Sequence, residues 1–380
     1  MDLSFSPEQL ALRDEIAKFA RQELNQGLIE RDRDESFSRE AWLKCARFGI
    51  QGMPFPREYG GGEADIVTAT LAMEGLGYGC RDAGLIFGIN AQMWAVMMPI
   101  QLFGTEAQKR RWLPGLVSGE AIGAHGMSEP DSGSDAMSLA TTAVQRGDRW
   151  VLTGTKTFVT NAPVADVFVV FATTDPAKGF LGVTAFVVER GQPGLSTQHI
   201  SKMGLRTSPM GEIVLDGCEL PADALLGAVG QGSKIFNASM EWERACILAS
   251  NAGAMERQLE VCIEYAQSRK QFRRPIGKFQ SVSNRIVDMK MRLETSRLLL
   301  YRVAWLKQSG QDAVMDAAIA KLYLSEAWVQ SCLDAVQIHG GYGFTTEFEL
   351  ERDLRDSIGG RIYSGTSEMQ RNIIASRLGL

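Results

Sequence analysis

The spacing of apolar and polar residues is helical at both ends of the chain and strand-like in its middle. Ser6-Pro7-Glu8-Gln9 has the composition of a helix N-cap, followed by a proline in the first turn and a glutamine that completes a capping box. Apolar residues continue at helical spacing to about residue 120, interrupted by turn-forming runs of proline and glycine. We therefore expect residues 1–120 to form a helical unit.

The pattern changes at about residue 121 and changes back at about residue 226. Between these points β-branched and aromatic residues form short runs, such as 167–171 and 183–188, separated by Gly, Pro and Asp. From Ser239 onward apolar residues return at helical spacing, over segments long enough to pack as a bundle. The chain is predicted to be mainly α with a central β domain: a helical domain at 1–120, a small β-barrel-like domain at 121–225 and a four-helix bundle at 226–380.

Composition narrows the class of protein. The 380 residues are 45% hydrophobic and 22% charged, which is typical of a globular protein that folds throughout. A net charge of -5 argues against a general nucleic-acid binder. The six cysteines are scattered without a CxxC pair, the N-terminal residues lack the pattern of a leader, and we find no apolar run of about 18 residues. We expect a cytoplasmic protein that binds neither a membrane nor nucleic acid.

Several common catalytic motifs are absent from the sequence. The three histidines, His125, His199 and His339, lack metal-ligand spacing, so no metal site is expected. No GxGxxG motif follows a strand pattern, and the P-loop and nucleophile-elbow motifs are also missing. Any phosphate-bearing cofactor must therefore be held in another way.

Motifs in all three units carry a resemblance that covers essentially the whole chain. They are 103–120 in the first unit, 127–135 (MSEPDSGSD) and 154–161 (GTKTFVTN) in the second, and 269–272 (RKQF), Gln280, 337–343 (QIHGGYG) and 363–368 (YSGTSE) in the third. Together they resemble the motifs of the acyl-CoA dehydrogenase family. The resemblance implies the fold of that family and its activity, the flavin-dependent dehydrogenation of an acyl thioester.

The same resemblance implies FAD as the cofactor. Met127, Ser128 and Thr160 would offer backbone groups and a hydroxyl to the polar atoms of the flavin. Phe158 stands where the family commonly has Trp, and would keep an aromatic cover on the flavin face. The other cofactor-binding candidates are Gly133, Ser134, Arg269, Gln271, Phe272, Ile276, Gln280, Gln337, Ile338, Gly340, Gly341, Thr366 and Glu368.

Some of these candidates imply an assembly of several subunits. The residues that the resemblance assigns to the FAD of a neighbouring subunit are Arg269, Gln271, Phe272, Gln280, Gln337 and Gly341. Arg269 would form charge-assisted hydrogen bonds with the pyrophosphate, and Thr366 and Glu368 would lie on the adenosine side. The protein is therefore expected to be a homotetramer with FAD sites between its subunits.

The general base cannot lie where the family usually has it. Removal of a hydride from one atom requires a proton to leave the neighbouring atom, and a carboxylate in an apolar cavity can accept it. The family usually has Glu directly before the Gly-Thr of its last motif, but this chain has Ser364 there. Members of the isovaleryl type instead carry the base just before an Arg near the start of the C-terminal bundle, where this chain has Glu243 and Arg244.

Glu241 competes with Glu243 for this role. Residues two apart on a helix point about 200° apart, so we expect only one of the two carboxylates to face the flavin. Alignment on Arg244 selects Glu243 as the catalytic base. Ser364 would offer its backbone amide to the thioester carbonyl as a second catalytic group. The expected substrate contacts are Arg244, Tyr363 and Gly365.

Three segments, 79–82, 161–166 and 239–246, resemble the branch of the family that oxidises prolyl groups tethered to a peptidyl carrier protein. The first hypothesis is therefore a dehydrogenase or oxidase of a prolyl group on an acyl or peptidyl carrier protein. The second is a short branched-chain acyl-CoA dehydrogenase. The third is a non-catalytic flavoprotein that serves as an assembly partner, against which Glu243 argues. The electron acceptor, oxygen or an electron-transfer flavoprotein, is left open, as is the choice between two- and four-electron oxidation.

A carrier-protein substrate also predicts basic residues at the mouth of the site. Carrier proteins are generally acidic around their modified serine, and opposite charges speed the encounter of two proteins. Lys178, Lys202 and Arg206 are the expected basic residues because they follow or precede strand-like runs in loop-like segments.

Overall fold

The computed structural model describes residues 4–380, so the first three residues of the N-terminal segment considered above lie outside it. Within this part of the chain the first unit consists of seven α-helices. They are α1 (Pro7–Glu23), α2 (Leu28–Arg33), α3 (Arg39–Phe48), α4 (Ile66–Gly79), α5 (Ala83–Asn90), α6 (Met98–Phe103) and α7 (Glu106–Val117). A π-helical segment, Ala91–Met97, joins α5 to α6.

The predicted capping box at the start of α1 is confirmed. The Ser6 hydroxyl accepts a hydrogen bond from the Gln9 N–H at 3.2 Å, and the Gln9 side chain accepts one from the Ser6 N–H at 2.9 Å. Helices α1 and α4 then pack closely, since a Cβ at Gly79 would lie only 2.2 Å from the Ala17 carbonyl oxygen. The capped helix is thus fixed against the apolar helix α4.

The stretch Ala83–Phe103 is long and apolar enough to cross a membrane by length and composition, with a mean hydropathy of 1.4. It is not an uninterrupted apolar run, however, because Asn90, Gln92 and Gln101 lie within it. The protein itself covers 83% of that apolar window. A helix that is apolar on all sides is also what the centre of a large protein core requires, and this one lies in such a core.

The middle unit is an eight-stranded sheet. Its strands are β1 (Gly123–Gly126), β2 (Thr142–Arg146), β3 (Arg149–Thr160), β4 (Val167–Thr173), β5 (Val183–Glu189), β6 (Leu195–His199), β7 (Met210–Pro221) and β8 (Leu225–Leu226). The order is β6-β7-β3-β2-β4-β5-β8, and β1 pairs in parallel with β4. Strands β4 and β5 are buried along nearly their whole length, which explains their continuous apolar runs.

The third unit begins with four long helices. They are α8 (Gly232–Cys246), α9 (Ala249–Ser268), α10 (Gln280–Gln308) and α11 (Val314–His339). These four pack on one another as the predicted bundle, and α12 (Leu350–Gly359) and α13 (Ser367–Arg377) pack on α11. A short hairpin, β9 (Lys270–Gln271) and β10 (Arg274–Pro275), lies between α9 and α10. The predicted fold of helices, β-sheet and helices is confirmed.

The changes in secondary structure fall near the predicted domain divisions. Helix α7 ends at Val117 and β1 begins at Gly123, whereas β8 ends at Leu226 and α8 begins at Gly232. The divisions at 120/121 and 225/226 themselves stay a prediction.

One apolar core runs through all three units. It includes Trp42 of the first unit, Phe168 of the second and Leu300 of the third. A smaller core, which includes Met255, lies between α9, α10 and α11. The region where the three units meet is therefore well packed.

Candidate active site

A cavity of about 1190 Å³ lies where the three units meet. The predicted site residues that line it are Met127, Ser128, Gly133, Ser134, Phe158, Thr160, Glu243, Arg244, Tyr363, Ser364, Gly365 and Thr366. The predicted residues outside its wall are Arg269, Gln271, Phe272, Ile276, Gln280, Gln337, Ile338, Gly340, Gly341 and Glu368. The structure thus gathers both predicted catalytic residues and the substrate contacts, and separates the third-unit cofactor residues other than Thr366 from them.

A buried ion pair fixes the loop that carries Met127 and Ser128. Lys156 Nζ lies 2.7 Å from a Glu129 carboxylate oxygen and 3.2 Å from the Met127 carbonyl oxygen. The Glu129 carboxylate also accepts the N–H groups of Ala140 and Thr141. Burial lowers the pKa of Lys156 to about 8, against the opposing effect of the Glu129 charge. The sequence motifs contained both residues, but only the fold reveals that they pair.

Phe158 reaches the cavity because strand β3 is irregular at this point. The register with β7 shifts between Lys156 and Val159, and Phe158 has a φ of +55°. A bulge of this kind turns a side chain away from the regular alternation of a strand, and a positive φ is costly for an aromatic residue. The exposed Phe158 ring therefore lies on the cavity wall at the expense of local backbone strain.

Glu243 lies on the cavity face of α8, one and two turns after Met240 and Phe236, which also line the cavity. It is only 7% exposed, and Ser364 Oγ donates a hydrogen bond to its Oε1 at 2.6 Å. Burial raises the pKa of Glu243, while the Ser364 hydrogen bond and the charges of Arg244 and Lys321 lower it. Glu243 is therefore a buried carboxylate whose basicity depends on its immediate neighbours.

The turn that carries Ser364 is strained and is held by side-chain donors. Ser364 and Gly365 have φ values of +56° and +89°. Arg244 Nε donates to the Ser364 carbonyl at 3.1 Å, and Lys321 Nζ donates to the Gly365 carbonyl at 2.7 Å. Gln370 Nε2 donates to both carbonyls, at 3.2 and 2.9 Å. Lys321 and Gln370 were not identified from the sequence, and no local motif signals them.

Lys321 brings a positive charge next to this turn although it is completely buried. Burial and the charge of Arg244 together lower its pKa to about 8, against the opposing effect of Glu243. Near neutral pH the ammonium therefore contributes both a hydrogen bond to the turn and an electrostatic field at the carboxylate.

Glu241 borders the cavity as well, so the helix face does not separate the two candidates as expected. Their partners do. A Glu241 oxygen lies 2.6 Å from Lys307 Nζ, and that ammonium also lies 4.2 Å from the centre of the Trp242 ring. Glu241 is thus neutralised by a cation, whereas Glu243 has a hydroxyl as its hydrogen-bond partner.

The predicted cofactor residues outside the cavity mostly form an exposed surface of the third unit. Phe272 is 88% exposed at the tip of the β9–β10 hairpin, where Phe272 and Arg273 have φ values of +48° and +65°. Such a two-residue turn normally uses Asn-Gly, because two positive φ angles disfavour larger side chains. The Arg269 guanidinium lies 5.7 Å from the centre of the Tyr342 ring, which joins the hairpin to the Gly340–Gly341 segment.

The remaining residues of this group differ in exposure. Gln271, Gln280, Gln337, Gly340 and Gly341 are exposed, and the side chain of Glu368 is largely exposed on α13. Ile276 and Ile338 are buried in the protein and can offer only backbone groups. We refer to the exposed residues Arg269, Gln271, Phe272, Gly340 and Gly341 together as the hairpin surface.

Two of the three basic residues expected to attract a carrier protein are poorly placed for it. The Lys202 side chain points inward, borders the cavity and donates to the Ser208 carbonyl, and burial lowers its pKa to about 8. Arg206 is half-buried and lies 3.9 Å from a carboxylate oxygen of Glu35. Lys178 is exposed, as expected. The prediction for Lys202 as a surface cation is wrong because its long side chain follows the loop back into the protein.

A buried carboxylate thus borders a large cavity at the junction of the helices, the β-sheet and the helical bundle. Three family models match the chain in order: the acyl-CoA dehydrogenase N-terminal domain at residues 6–120, the middle domain at 124–218 and the C-terminal domain at 230–379. The chain belongs to the acyl-CoA dehydrogenase family.

Individual relatives match over the full length of the chain. The L-prolyl-(peptidyl-carrier protein) dehydrogenase of Serratia sp. is 43% identical over 381 residues, which cover 100% of this chain and 99% of that protein. The crystal structure of the prolyl acyl carrier protein oxidase AnaB is 52% identical, covers 99% of this chain and 100% of AnaB, and has a TM-score of 0.98. The FAD complex of PigA is 43% identical, covers 100% of both chains and has a TM-score of 0.97.

Proposed function

We propose that this protein is an FAD-dependent dehydrogenase of a prolyl group carried as a thioester on an acyl or peptidyl carrier protein, in the biosynthesis of a natural product. The observation that carries the proposal is the buried Glu243 carboxylate, hydrogen-bonded to Ser364 at the wall of the cavity. The similarity to the Serratia dehydrogenase, AnaB and PigA supports the choice of a prolyl carrier protein as substrate.

The residues at the cavity fit FAD. Its volume exceeds the upper part of the usual range for small-ligand sites, about 300–1000 Å³, as a dinucleotide together with a substrate requires. Phe158 offers a ring to one face of the flavin, and the 127–128 backbone is held rigidly by the Glu129–Lys156 pair. FAD, when bound, accepts the hydride that the substrate loses. Met127, Ser128, Gly133, Ser134, Phe158, Thr160 and Thr366 are the proposed contacts within one chain.

Glu243 is the proposed general base. It removes the α-proton of the prolyl thioester, so the carboxylate must be ionised before the reaction and becomes protonated during it. Burial raises the pKa of Glu243 and makes the carboxylate a stronger base, whereas Ser364, Arg244 and Lys321 lower that pKa and so favour the ionised form. Glu241 is less suited because Lys307 already neutralises it.

The turn around Ser364 is proposed to hold the thioester. The Arg244, Lys321 and Gln370 side chains occupy the carbonyl oxygens of this turn. These bonds fix the turn, and its Ser364 backbone amide is the proposed donor to the thioester oxygen, where negative charge develops when the α-proton leaves. Tyr363 and Gly365 border the same space. The Tyr363 ring lies 4.5 Å from that of Phe87 and gives the pocket an apolar wall.

The hairpin surface is proposed to complete the FAD site of a neighbouring subunit in a homotetramer. Its residues lie outside the cavity of their own chain, yet Phe272 is almost fully exposed on a strained turn. Strain of this kind persists in proteins where a position has a function. The exposed apolar residues Val287, Met291 and Leu298 on α10 offer a further surface for subunit contact.

The second candidate function is a short branched-chain acyl-CoA dehydrogenase, which the same base position on α8 favours. An anaerobic titration separates the two. Prolyl carrier protein should bleach the flavin absorbance, and isovaleryl-CoA should do so more slowly. Faster bleaching by isovaleryl-CoA would replace the first proposal by the second. Re-oxidation of the bleached enzyme by oxygen or by an electron-transfer flavoprotein then identifies the acceptor. A cytoplasmic location is part of the same proposal.

A further inference from the structure

A small group of exposed apolar side chains lies beside the start of helix α8. Phe180, Leu181 and Val229 are 59%, 58% and 53% exposed. Two exposed lysines, Lys178 and Lys234, lie in the same two segments of the chain. We call these five residues the α8 patch. Adjacent apolar side chains with this exposure are uncommon unless the surface binds something.

The two segments of the α8 patch are in direct contact. Phe180 and Leu181 belong to a 3-10 segment, Pro176–Gly182, that packs on α8. A Cβ at Gly230 would lie 2.7 Å from the Leu181 carbonyl oxygen, and one at Gly232 would lie 2.7 Å from Val183. The glycines thus allow the 3-10 segment to lie against the residues that lead into α8. The two segments that carry the patch therefore lie side by side.

Helix α8 connects this surface to the catalytic carboxylate. Glu243 lies eleven positions after Gly232, the first residue of the helix, which corresponds to about 17 Å at 1.5 Å per residue. Phe236 and Asn237 lie between them and line the cavity, and Asn237 is exposed. A phosphopantetheine arm is an extended chain of this order of length. An arm that enters beside Asn237 from the patch would bring its thioester to Glu243.

The charge of the α8 patch also suits an acidic partner. Lys178 lies 3.1 Å from Asp175, whereas Lys234 has no ion pair among residues 4–380 and lies 5.9 Å from the centre of the Phe103 ring. Carrier proteins generally present acidic and apolar residues around the serine that bears the arm. Interfaces of this kind combine an apolar centre with charges at the rim that guide association.

We infer that the α8 patch is the docking surface for the carrier protein, with Phe180, Leu181 and Val229 as apolar contacts and Lys178 and Lys234 as the guiding charges. The inference rests on the proposed function. It differs from the earlier expectation for Lys202 and Arg206 because it places the carrier protein at the start of α8. From there the phosphopantetheine arm would run along the helix into the cavity.

Two variants test the inference. One, Leu181→Ser with Val229→Ser, removes apolar contacts, and the other, Lys178→Glu with Lys234→Glu, reverses the charges. The matched controls are Val144→Ser, at a residue on β2 that is also 53% exposed, and Lys18→Glu, at an exposed lysine on α1. Each protein, loaded with FAD, is assayed with prolyl carrier protein and with prolyl-pantetheine, which has the arm but no carrier. Its oligomeric state is measured by light scattering.

The α8-patch variants should lose about tenfold or more in kcat/KM for prolyl carrier protein and keep their rate with prolyl-pantetheine and their oligomeric state. The controls should behave like the unmodified protein. Unchanged kcat/KM with prolyl carrier protein would overturn the inference, and so would equal losses with both substrates. A smaller oligomer in the α8-patch variants would instead identify the surface as a subunit contact and overturn it. If the unmodified protein fails to oxidise prolyl carrier protein, the proposed function itself is wrong.

Discussion

The two ends of the proposed FAD-dependent site differ in how complete they are within one chain. Around Glu243 every element is internal: the carboxylate is buried, Ser364 donates to it, and Arg244 and Lys321 supply the nearby charges. The hairpin surface is the opposite, since Phe272 extends into solvent and, within residues 4–380, the Arg269 guanidinium has no ion pair and lies beside the Tyr342 ring. The comparison suggests that one chain provides the chemistry, whereas retention of the cofactor depends on assembly.

Glu243→Gln should have the largest effect of all, on the rate of flavin reduction at the buried part of the site around Glu243. The amide cannot accept the α-proton, so flavin reduction by substrate should slow by at least about a hundredfold, while FAD content and fold stay the same. Stopped-flow absorbance of the flavin measures this rate. Glu241→Gln is the matched control on the same helix and should reduce the rate far less. An equal loss in both variants would mean that the two carboxylates have been assigned wrongly.

Arg269→Ala should have the next largest effect, on FAD binding at the hairpin surface. The FAD pyrophosphate of a neighbouring subunit would lose a charged hydrogen bond of about 1.5–3 kcal/mol, which weakens FAD binding by about ten- to a hundredfold. Equilibrium dialysis of FAD measures the affinity, and the reduction rate at saturating FAD should stay near normal. Arg33→Ala, at an exposed arginine on α2, serves as the control. Full FAD occupancy in a monomeric preparation would contradict the shared site.

Ser364→Ala should shift the pH dependence of flavin reduction. The Ser364 hydrogen bond stabilises the ionised Glu243, so its loss raises the pKa of that carboxyl further. The rate rises with pH as Glu243 ionises, and the midpoint of this rise should move to higher pH in the variant. At pH values well above the midpoint the rate should approach that of the unmodified enzyme. A uniform loss at all pH values would instead indicate that the substrate is misplaced.

Lys321→Met should move the midpoint in the same direction but less far, because Arg244 still supplies a cation. Lys321→Arg keeps the charge and should restore the midpoint, since its guanidinium stays charged at working pH. The pH profile separates this electrostatic effect from simple loosening of the turn, which would lower the rate without moving the midpoint. If both Lys321→Met and Lys321→Arg had the midpoint of the unmodified enzyme, Lys321 would have no electrostatic effect on Glu243.

The sequence predicted the parts of the site that lie within continuous motifs. Glu243 was selected by its position before Arg244, and the structure gives it a buried place beside Ser364. The helical, β and helical order followed from residue spacing, because burial imposes a period of 3.6 or 2 on apolar residues. In these cases the chemical signal and the structural signal lie in neighbouring residues.

The rest depended on contacts between distant parts of the chain. Lys321 reaches the Gly365 carbonyl from the middle of α11, and its position in the sequence resembles that of any helix lysine. Lys156 and Glu129 are separated by a β-strand and a loop, so their pairing requires the folded sheet. Lys202 looked like a surface cation because the direction of a long side chain in a loop cannot be read from its neighbours.

The central claim is that Glu243 removes the α-proton of a carrier-bound prolyl group. Single-turnover flavin reduction by prolyl carrier protein, with protium or deuterium at the α-carbon, tests it most directly. The account predicts a slower reduction with the deuterated substrate in the unmodified enzyme, and a rate that rises with pH as Glu243 ionises. The rate must first be shown to be independent of substrate concentration, so that binding does not limit it. Equal rates for the protiated and deuterated substrates at every pH would then contradict the claim.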